Sequence, residues 1–446
     1  MFSKILIANR GEIAVRVIRA CREMGISTVA VYSEADRDAL HVGLADECYC
    51  IGPARAKDSY LNMSAVLSAA IVSGAQAIHP GYGFLSENAE FARLCAKCGI
   101  AFIGPSPEVL ARMGDKDEAK RTMKAASVPV ISGSGLVENL SQAKQAAEKI
   151  GYPLLMKARA GGGGRGIRLI RSEREFDKAF FQASEEANNA FGDGGMYLEK
   201  YMTGVKHIEV QVLCDSFGHV VCLGERDCSM QRKNQKIMEE SPSPGVSSQE
   251  REKLFQICEH AMRTIGYTGA GTVEFLMDRD GKFYFMEMNT RLQVEHPVTE
   301  MVTGVDLVKW QIRIAAGLPL DFTAKDVPVR GHAIECRINA ENPKEHFRPG
   351  GGKVTMLHLP GGPSVRFDTA LYPDYFIPPF YDSLIGKLIV HARTREEAVR
   401  KMQAALCELV IEGVAHNGDF LLELLQDDAF QSGRYTTSCL AERGCL

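Results

Sequence analysis

The sequence has no uninterrupted apolar run of about 18 residues, the length that a membrane-spanning helix needs. Its most apolar window, residues 65–78, is interrupted by Ser68, Ser73, Gly74 and Gln76. The first residues lack the apolar core of a secretory signal peptide. We therefore expect no membrane association and a cytoplasmic location.

The sequence also lacks an excess of basic residues. Its net charge is -4 and its isoelectric point is near 6.3, which argues against a nucleic-acid partner. The 13 cysteines are scattered, and the one Cys-x-x-Cys pair, Cys95 and Cys98, lies in a helical pattern. Because a zinc site needs four ligands, we interpret this pair as packing on a helix face. The scattered cysteines are typical of a protein in a reducing compartment.

The chain is long enough, at 446 residues, for two or three domains. Its first part alternates strand and helix patterns, which predicts a parallel α/β sheet ending near Met113. No Gly-x-Gly-x-x-Gly turn follows the first strand, so nicotinamide binding is not expected. The predicted elements are strands Lys4–Asn9, Ser27–Tyr32, Ala77–His79 and Ala101–Ile103, with a helix over Gly11–Gly25.

Residues 132–201 have a different pattern, in which strand Leu154–Ala158 leads through a glycine run into strand Ile167–Ile170. The remainder mixes strands and helices. We predict antiparallel strands at His207–Leu213, Val220–Glu225, Gly271–Met277 and Lys282–Met288, a β-rich stretch over Gly331–Lys387 and a helix over Arg395–Glu408.

The glycine run, Gly161–Gly166, has five glycines in six positions. Such a backbone can approach phosphates closely, so we favour a phosphate-covering flap. It joins two strands and lacks the Gly-Lys-Ser/Thr ending of a Walker loop. A plain hairpin tip is the alternative, although one or two glycines suffice for that. Lys157 and Lys116 could neutralise nucleotide phosphates, and either lysine alone could equally be a surface charge.

Two acidic positions, Glu274 and Glu287, have apolar neighbours and lie on strands joined by the turn 278–281. A hairpin would bring these carboxylates together, since one buried alone would be costly. With Asn289 they would make an oxygen site suited to Mg²⁺. The alternative is one surface glutamate and one ion-paired glutamate.

A polar run, Arg291–Pro297, follows this predicted site directly and combines a fixed cation, an amide and a carboxylate. It could hold a small anion and supply a base to deprotonate it. A polar loop with an internal salt bridge is an equal alternative. The charged stretch 225–236 could add polar groups or form a loop.

Six motifs in order along the chain resemble the biotin carboxylase family of the ATP-grasp superfamily. They are Ile7–Ala14, His79–Asn88, Gly161–Gly166, Glu225–Gln231, Glu287–Glu295 and Tyr381–Ser383.

The resemblance implies an α/β and α+β chain with the ATP-grasp fold. Its parts would be a Rossmann-like N-terminal domain (1–113), connecting helices (114–131), a mobile lid with the glycine flap (132–202) and a mixed, β-rich C-terminal domain (203–446). ATP would lie between the lid and the C-terminal domain.

The resemblance also implies site residues. ATP-binding residues would be Lys116, Lys157, Gly162, Gly163, Gly164, Arg165, Gly166, Glu199, Lys200, His207, Gln231, Asn234, Glu274, Leu276 and Glu287. Glu274, Glu287 and Asn289 would hold Mg²⁺ or Mn²⁺. Bicarbonate would contact Lys236, Arg291, Gln293, Val294 and Glu295, and biotin would contact Arg337, with Tyr82 and Asp382 lining the same region. Glu295, Arg337, Lys236 and Arg291 would be catalytic.

The implied reaction is carboxylation of biotin with ATP and bicarbonate. Glu295 would deprotonate bicarbonate, which attacks the γ-phosphate; carboxyphosphate would then release CO₂ to a biotin enolate stabilised by Arg337. Neither Met156-Lys157 nor Met123-Lys124 is followed by the second Met of a biotinylation motif. Biotin is therefore expected on a separate biotin carboxyl carrier protein.

The implied assembly is a homodimer within an acetyl-CoA carboxylase for fatty acid synthesis, with carboxyltransferase subunits as further partners. A split pyruvate or propionyl-CoA carboxylase is the alternative. Another ATP-grasp ligase, such as a carbamoyl phosphate synthetase half, and an inactive nucleotide-binding regulator are the rival functions.

Two positions depart from the family pattern. Asn234 stands where the family commonly has a ribose-associated His, and Pro363 replaces an aromatic residue of the dimer contact. Arg19 and Glu23 match the family's dimer pair.

Overall fold

The structure is a computed structural model and describes residues 1–159, 167–191 and 194–444. Within these residues, no helix combines the length and the apolar character needed to cross a membrane.

The N-terminal region is built on a parallel sheet of five strands in the order β3-β2-β1-β4-β5. This confirms the predicted parallel sheet, although the first strand ends at Ile7, two residues before its predicted end. The strands are β1 (Lys4–Ile7), β2 (Ser27–Tyr32), β3 (Glu47–Cys50), β4 (Ala77–His79) and β5 (Ala101–Phe102).

Helices flank this sheet and continue beyond it. Helix α6 follows α5 after one residue, because Asp115 accepts hydrogen bonds from the amides of Asp117 and Glu118 and caps a new helix. Cys95 is buried on α4, whereas Cys98, just beyond its end, is exposed. The helices are α1 (Gly11–Glu23), α2 (Leu40–Leu44), α3 (Met63–Ser73), α4 (Ala89–Lys97), α5 (Pro107–Gly114) and α6 (Lys116–Ala125).

A smaller layer follows, with one three-stranded antiparallel sheet in the order β7-β6-β8. Leu154 and Met156 point from the central strand into its core, which α7 and α8 cover. The elements are α7 (Leu140–Ile150), β6 (Leu154–Ala158), β7 (Ile167–Ile170), α8 (Glu173–Phe191) and β8 (Met196–Lys200). Both strands that flank the glycine run have their predicted bounds; the run itself, Gly161–Gly166, lies outside the described residues.

The largest layer is an antiparallel sheet of eight strands in the order β13-β12-β9-β10-β11-β14-β21-β19. The strands are β9 (Lys206–Cys214), β10 (Val220–Arg232), β11 (Gln235–Ser241), β12 (Gly269–Met277), β13 (Phe283–Asn289), β14 (His332–Asn339), β19 (Val365–Thr369) and β21 (Leu384–Ala392). Helix α10 (His296–Thr303) packs on β10, β11, β14 and β21, and α1 packs on both large sheets. The charged stretch 225–236 is therefore mostly strand, which excludes the loop alternative.

Six further helices join this layer or close the C-terminal core. Helix α12 has its predicted bounds because Thr394 accepts a hydrogen bond from the Glu397 amide at its start. The remaining elements are α9 (Ser248–Ile265), α11 (Leu307–Ala315), α12 (Arg395–Glu408), α13 (Gly418–Leu425), α14 (Asp428–Gln431), α15 (Cys439–Glu442), and the short strands β15 (Glu341–Asn342), β16 (Arg348–Pro349), β17 (Gly352–Lys353), β18 (Met356–His358), β20 (Phe376–Ile377) and β22 (Val410–Glu412).

Candidate active site

The hairpin of β12 and β13 places two carboxylates directly opposite each other. Glu274 is the register partner of Glu287, which confirms that the hairpin pairs these positions. Directly opposed side chains have Cβ atoms about 5 Å apart. Asn289, at the end of β13, donates its side-chain amide to Glu274 Oε1 at 2.8 Å. The result is a cluster of carboxylate and amide oxygens.

The charges at this hairpin are unequally compensated. Burial would raise the pKa of Glu274, but Lys236 and His207 hold it well below its usual range. Burial raises the pKa of Glu287, and the neighbouring Glu274 charge raises it further. The hard oxygen donors and the carboxyl of Glu287, whose pKa is raised despite the nearby Lys116 and Lys236, fit a divalent cation such as Mg²⁺.

Lys236 lies where three carboxylates converge. Its Nζ is 2.6 Å from Glu209 Oε2, 2.9 Å from Glu274 Oε1 and 2.6 Å from Glu295 Oε1. Burial would lower the pKa of Lys236, but these three carboxylates raise it well above its usual value. The ammonium group is therefore charged at neutral pH and links the hairpin to the Arg291–Pro297 run.

Glu295 connects Lys236 to Arg337. Its Oε2 accepts a hydrogen bond from Arg337 Nη2 at 2.9 Å, while Arg337 Nε donates to Glu239 Oε1 at 2.6 Å. Burial would raise the pKa of Glu295, but Lys236 and Arg337 hold it well below its usual range. Burial raises the pKa of Glu239 to about 7, with Arg337 opposing and Glu295 reinforcing that rise. Arg337 is thus fixed between two carboxyl groups.

Arg291 is held by three hydrogen bonds, one of them from its Nη1 to the Leu292 carbonyl oxygen at 3.2 Å. Its Nε donates to Glu87 Oε2 at 2.9 Å, and its Nη2 donates to Asn289 Oδ1 at 2.7 Å. Burial would lower the pKa of Arg291, but Glu87 raises it. The guanidinium therefore lies beside the carboxylate hairpin with its charge retained.

Buried residues hold Gln293 and Val294 in place. Gln293 donates to Glu274 Oε1 at 2.5 Å and accepts from Arg226 Nη2 at 2.7 Å. The carbonyl oxygen of Val294 accepts from Lys387 Nζ at 2.9 Å. Both Arg226 and Lys387 are fully buried, so buried cations fix the backbone and the amide of this run.

A second cationic cluster lies between α6 and the three-stranded sheet. Lys157 and Lys120 each donate to a different carboxylate oxygen of Glu199. Burial lowers the pKa of Lys157 to about 7, and Lys120 and Lys116 lower it in the same direction. Burial also lowers the pKa of Lys120 to about 8, with Lys116 contributing. Two lysines therefore share the carboxylate of Glu199, and the nearby charge of Lys116 acts on both, which favours binding of an anion.

Residues predicted near the base and ribose of ATP occupy neighbouring strands. Gln231 Nε2 donates to His207 Nδ1 at 2.7 Å, and His207 is the register partner of half-buried Leu276. Lys200 instead donates its Nζ to the carbonyl oxygens of Gly151 and Tyr152, at 3.2 and 2.9 Å. Its ammonium group is thus engaged by the backbone.

Asn234 occupies a two-residue turn between β10 and β11. Lys233 and Asn234 have φ values of 49° and 64°, and Arg232 pairs with Gln235 across the turn. Asparagine tolerates this left-handed region better than most residues. The side chain of Asn234 is exposed. The turn therefore gives a conformational reason for asparagine at this departure from the family pattern.

Tyr82 and Asp382 have different environments. The Tyr82 hydroxyl donates to Glu12, whose Oε1 is 3.1 Å from Lys387 Nζ. Asp382 is exposed and accepts a hydrogen bond from the Leu384 amide at 2.9 Å. Across the described residues, no hydrogen bond or ion pair joins Asp382 to Tyr82. Tyr82 is thus connected to the Val294 anchor, and Asp382 is not.

The residues matching the family's dimer pair lie at the surface. Arg19 and Glu23 line a cavity of about 390 Å³ together with Arg16 and Arg366. Glu23 forms an ion pair with Lys309 at 2.5 Å. Pro363, three residues before Arg366 in the sequence, is exposed, so its side chain is available for contact with another molecule.

Several residues of the site were not predicted from the sequence. Strand alternation could have found Glu209, since it lies two residues after His207 and shares its strand face. Helical spacing could have found Lys120, one turn after Lys116. The residues missed are Glu12, Glu87, Lys120, Glu209, Arg226, Glu239 and Lys387.

A parallel N-terminal sheet, a small three-stranded layer with paired lysines and an antiparallel sheet with paired carboxylates together define an ATP-grasp enzyme. Family models match in the same order: "Biotin carboxylase, N-terminal domain" over residues 1–110, "Carbamoyl-phosphate synthase L chain, ATP binding domain" over 115–323 and "Biotin carboxylase C-terminal domain" over 335–442.

Similar proteins agree with these matches. Biotin carboxylase 1 of Bacillus subtilis is 54% identical over 99% of this chain and 98% of its own length. Biotin carboxylase of a Nostoc species is 56% identical over 99% of both chains. The biotin carboxylase–beta-gamma-ATP complex of Campylobacter jejuni has a TM-score of 0.96 at 50% identity, over 99% of both chains.

A second solved structure is the biotin carboxylase domain dimer of Hydrogenobacter thermophilus 2-oxoglutarate carboxylase, in complex with MgADP, ADP and bicarbonate. It has a TM-score of 0.96 at 51% identity and covers 100% of this chain and 98% of its own. The chain belongs to the biotin carboxylase family and is an ATP-dependent carboxylase.

Proposed function

We propose that the chain carboxylates biotin carried on a separate biotin carboxyl carrier protein, as the biotin carboxylase subunit of an acetyl-CoA carboxylase. The observation that carries this proposal is the chain of contacts Lys236–Glu295–Arg337 beside the Glu274–Glu287 hairpin. It joins an anion-binding cation, a carboxylate base and a second cation at the phosphate end of a nucleotide site.

The bicarbonate site would consist of Lys236, Arg291, Gln293, the Val294 backbone and Glu295. Bicarbonate would compete with Glu295 for the cations of Lys236 and Arg337, which now hold the Glu295 pKa low. Weakening these two contacts would raise the pKa of Glu295 and strengthen it as a base. Bicarbonate itself would therefore activate the base that deprotonates it.

The nucleotide would lie between the lysine cluster and the carboxylate hairpin. Lys116, Lys157 and His207 would face the phosphates, while Glu199, Lys200, Gln231, Asn234 and Leu276 would lie along the nucleoside. Glu274, Glu287 and Asn289 would hold Mg²⁺ or Mn²⁺, which would neutralise developing phosphate charge. The glycines 162–164, Arg165 and Gly166 lie outside the described residues, and their role as a flap stays a prediction.

The biotin ring would be placed by Arg337. Its guanidinium is fixed by Glu239 and Glu295 and would stabilise negative charge on the biotin oxygen. Tyr82, connected through Glu12 to Lys387, would form a wall of the same pocket, and Asp382 would lie at its outer edge.

The proposed organisation keeps the domain limits 1–113, 114–131, 132–202 and 203–446. The subunit would work in the cytoplasm as a homodimer, with carboxyltransferase subunits as further partners. The arginines and glutamate around the surface cavity at Arg19 and Glu23 support a self-complementary, charged contact.

The purified chain should hydrolyse ATP in a reaction that needs both bicarbonate and free biotin, and its intact mass should contain no biotin. Turnover without biotin would favour another ATP-grasp ligase, and a biotin adduct would refute the separate carrier. Affinity capture of the biotinylated partner then separates an acetyl-CoA carboxylase from a split pyruvate or propionyl-CoA carboxylase. The latter alternative is included because the biotin carboxylase subunit of a pyruvate carboxylase is also similar to this chain, at 52% identity.

A further inference from the structure

Lys120 lies beside Lys157, one of the lysines expected to contact the nucleotide, although no sequence motif pointed to Lys120. Lys116 begins α6, and Lys120 follows one helical turn later on the same face. Helix α6 packs against β13, the strand that carries Glu287. Lys120 therefore faces the same space as Lys116.

Glu199 is the common partner of two of these lysines. Lys120 Nζ contacts Glu199 Oε1, and Lys157 Nζ contacts Glu199 Oε2. Leu155 on β6 is the register partner of Glu199 on β8, so Lys157 and Glu199 come from neighbouring strands of the small sheet. Lys120 reaches this pair from a different layer.

The contact is largely shielded from solvent. The Lys120 and Lys157 side chains are each 21% exposed and that of Glu199 is 9% exposed. Solvent weakens partly buried ion pairs less than surface pairs. Whether Lys120 also neutralises Glu199 therefore affects how strongly Glu199 holds Lys157. If Lys120 were absent, the whole Glu199 charge would act on Lys157.

We propose that Lys120 is a positioning residue for ATP: it holds Glu199, so that Lys157 can turn from Glu199 to the nucleotide phosphates. The proposal rests on the proposed role of Lys157 as a phosphate ligand. Lys120 would neutralise Glu199 both before and after Lys157 moves. Loss of Lys120 would leave a buried carboxylate competing with the phosphates for Lys157.

The test compares Lys120→Met in two backgrounds. In the wild-type background, we expect a rise of roughly tenfold in the dissociation constant of MgATP, equivalent to ~1.4 kcal/mol. In the Glu199→Gln background the same change should have little effect, because no carboxylate remains to retain Lys157. Calorimetric titration measures the MgATP affinity of the wild type, the two single variants and the double variant. In steady-state kinetics, Lys120→Met should leave the KM for bicarbonate unchanged.

Two matched controls accompany this comparison. Lys120→Arg preserves the charge and should restore an affinity near wild type. Lys124→Met removes an exposed lysine one turn further along α6 and should leave the affinity unchanged.

An equal loss of MgATP affinity in both backgrounds would overturn the proposal, because it would indicate a direct contact between Lys120 and the nucleotide. No loss in either background would overturn it as well. Failure of the proposed biotin carboxylation would be seen separately, as MgATP binding by the wild type without biotin-dependent turnover.

Discussion

Lys236 Nζ lies 2.6 Å from Glu295 Oε1, and the same carboxylate contacts Arg337 through its other oxygen at 2.9 Å. One side chain thus connects the cation beside the carboxylate hairpin to the cation at the proposed biotin site.

Replacing Glu295 with Gln should abolish bicarbonate-dependent turnover, with a loss on the order of 100-fold or more, because an amide cannot accept the proton. MgATP binding should persist, since Lys236 keeps its contacts with Glu209 and Glu274. Steady-state turnover and MgATP calorimetry measure the two properties. Glu412→Gln, at an exposed site, is the control and should keep normal turnover. Near-normal turnover by Glu295→Gln would show that Glu295 is not the base.

Replacing Lys387 with Met should destabilise the fold by ~3–5 kcal/mol, because it removes one partner of buried ion pairs. Lys387 is fully buried, 3.1 Å from Glu12 and 3.9 Å from Asp368. Chemical denaturation measures the loss. Lys353→Met breaks an exposed pair with Asp374 and should change stability little; equal effects of the two variants would contradict this reasoning.

Asn234→His should reduce stability by ~0.5–1 kcal/mol, since histidine fits the left-handed turn less well than asparagine. A ribose contact of ~1 kcal/mol would shift the KM for ATP only severalfold and leave the maximal rate nearly unchanged. Thermal unfolding and steady-state kinetics with ATP and GTP measure both effects. A preference of the wild type for GTP, or turnover by the histidine variant alone, would mean that this site is repurposed.

The stability of the protein should fall as the pH decreases from about 6.5 to 4, partly because of His41. Burial lowers the pKa of His41 to about 4, with Asp36 opposing and Arg10 adding to this effect. In this window the unfolded chain binds a proton that the folded protein does not, so acid favours unfolding. At pH 4, this effect of His41 lowers the free energy of unfolding by on the order of 3 kcal/mol relative to neutral pH.

His41→Gln should therefore flatten the pH dependence of the unfolding free energy between pH 6.5 and 4, whatever its effect at pH 7. Denaturant titrations at several pH values measure this slope. An unchanged slope in the variant would show that His41 does not titrate as its burial implies.

Local signals in the sequence predicted elements with clear ends. Thr394 and Glu397 set the start of α12, and the turn after Met277 set the pairing of Glu274 with Glu287. These successes rest on patterns within a few residues of each other.

The remaining contacts depend on packing between distant segments. Lys120 meets Glu199 only because the fold brings α6, which packs on β13, close to β8. Lys387 meets Val294 only because β21 passes beneath the Arg291–Pro297 run. Such buried charges resemble surface charges when only their neighbours in sequence are considered. Their partners were therefore missed, although the residue types were visible.

The contact between Lys236 and Glu274 also constrains the shape of the large sheet. Lys236 is on β11 and Glu274 on β12, three strand positions apart, or about 14 Å if the sheet were flat. Side chains stand roughly perpendicular to a sheet, so on a flat sheet these two would remain apart. They meet at 2.9 Å, so the strands between them curl into a trough. The register shifts in β10 around Asp227 and Met230, which bend a strand, lie within this arc. The concavity of the sheet, as much as any single residue, thus sets the distance between the proposed phosphate site and the proposed base, Glu295.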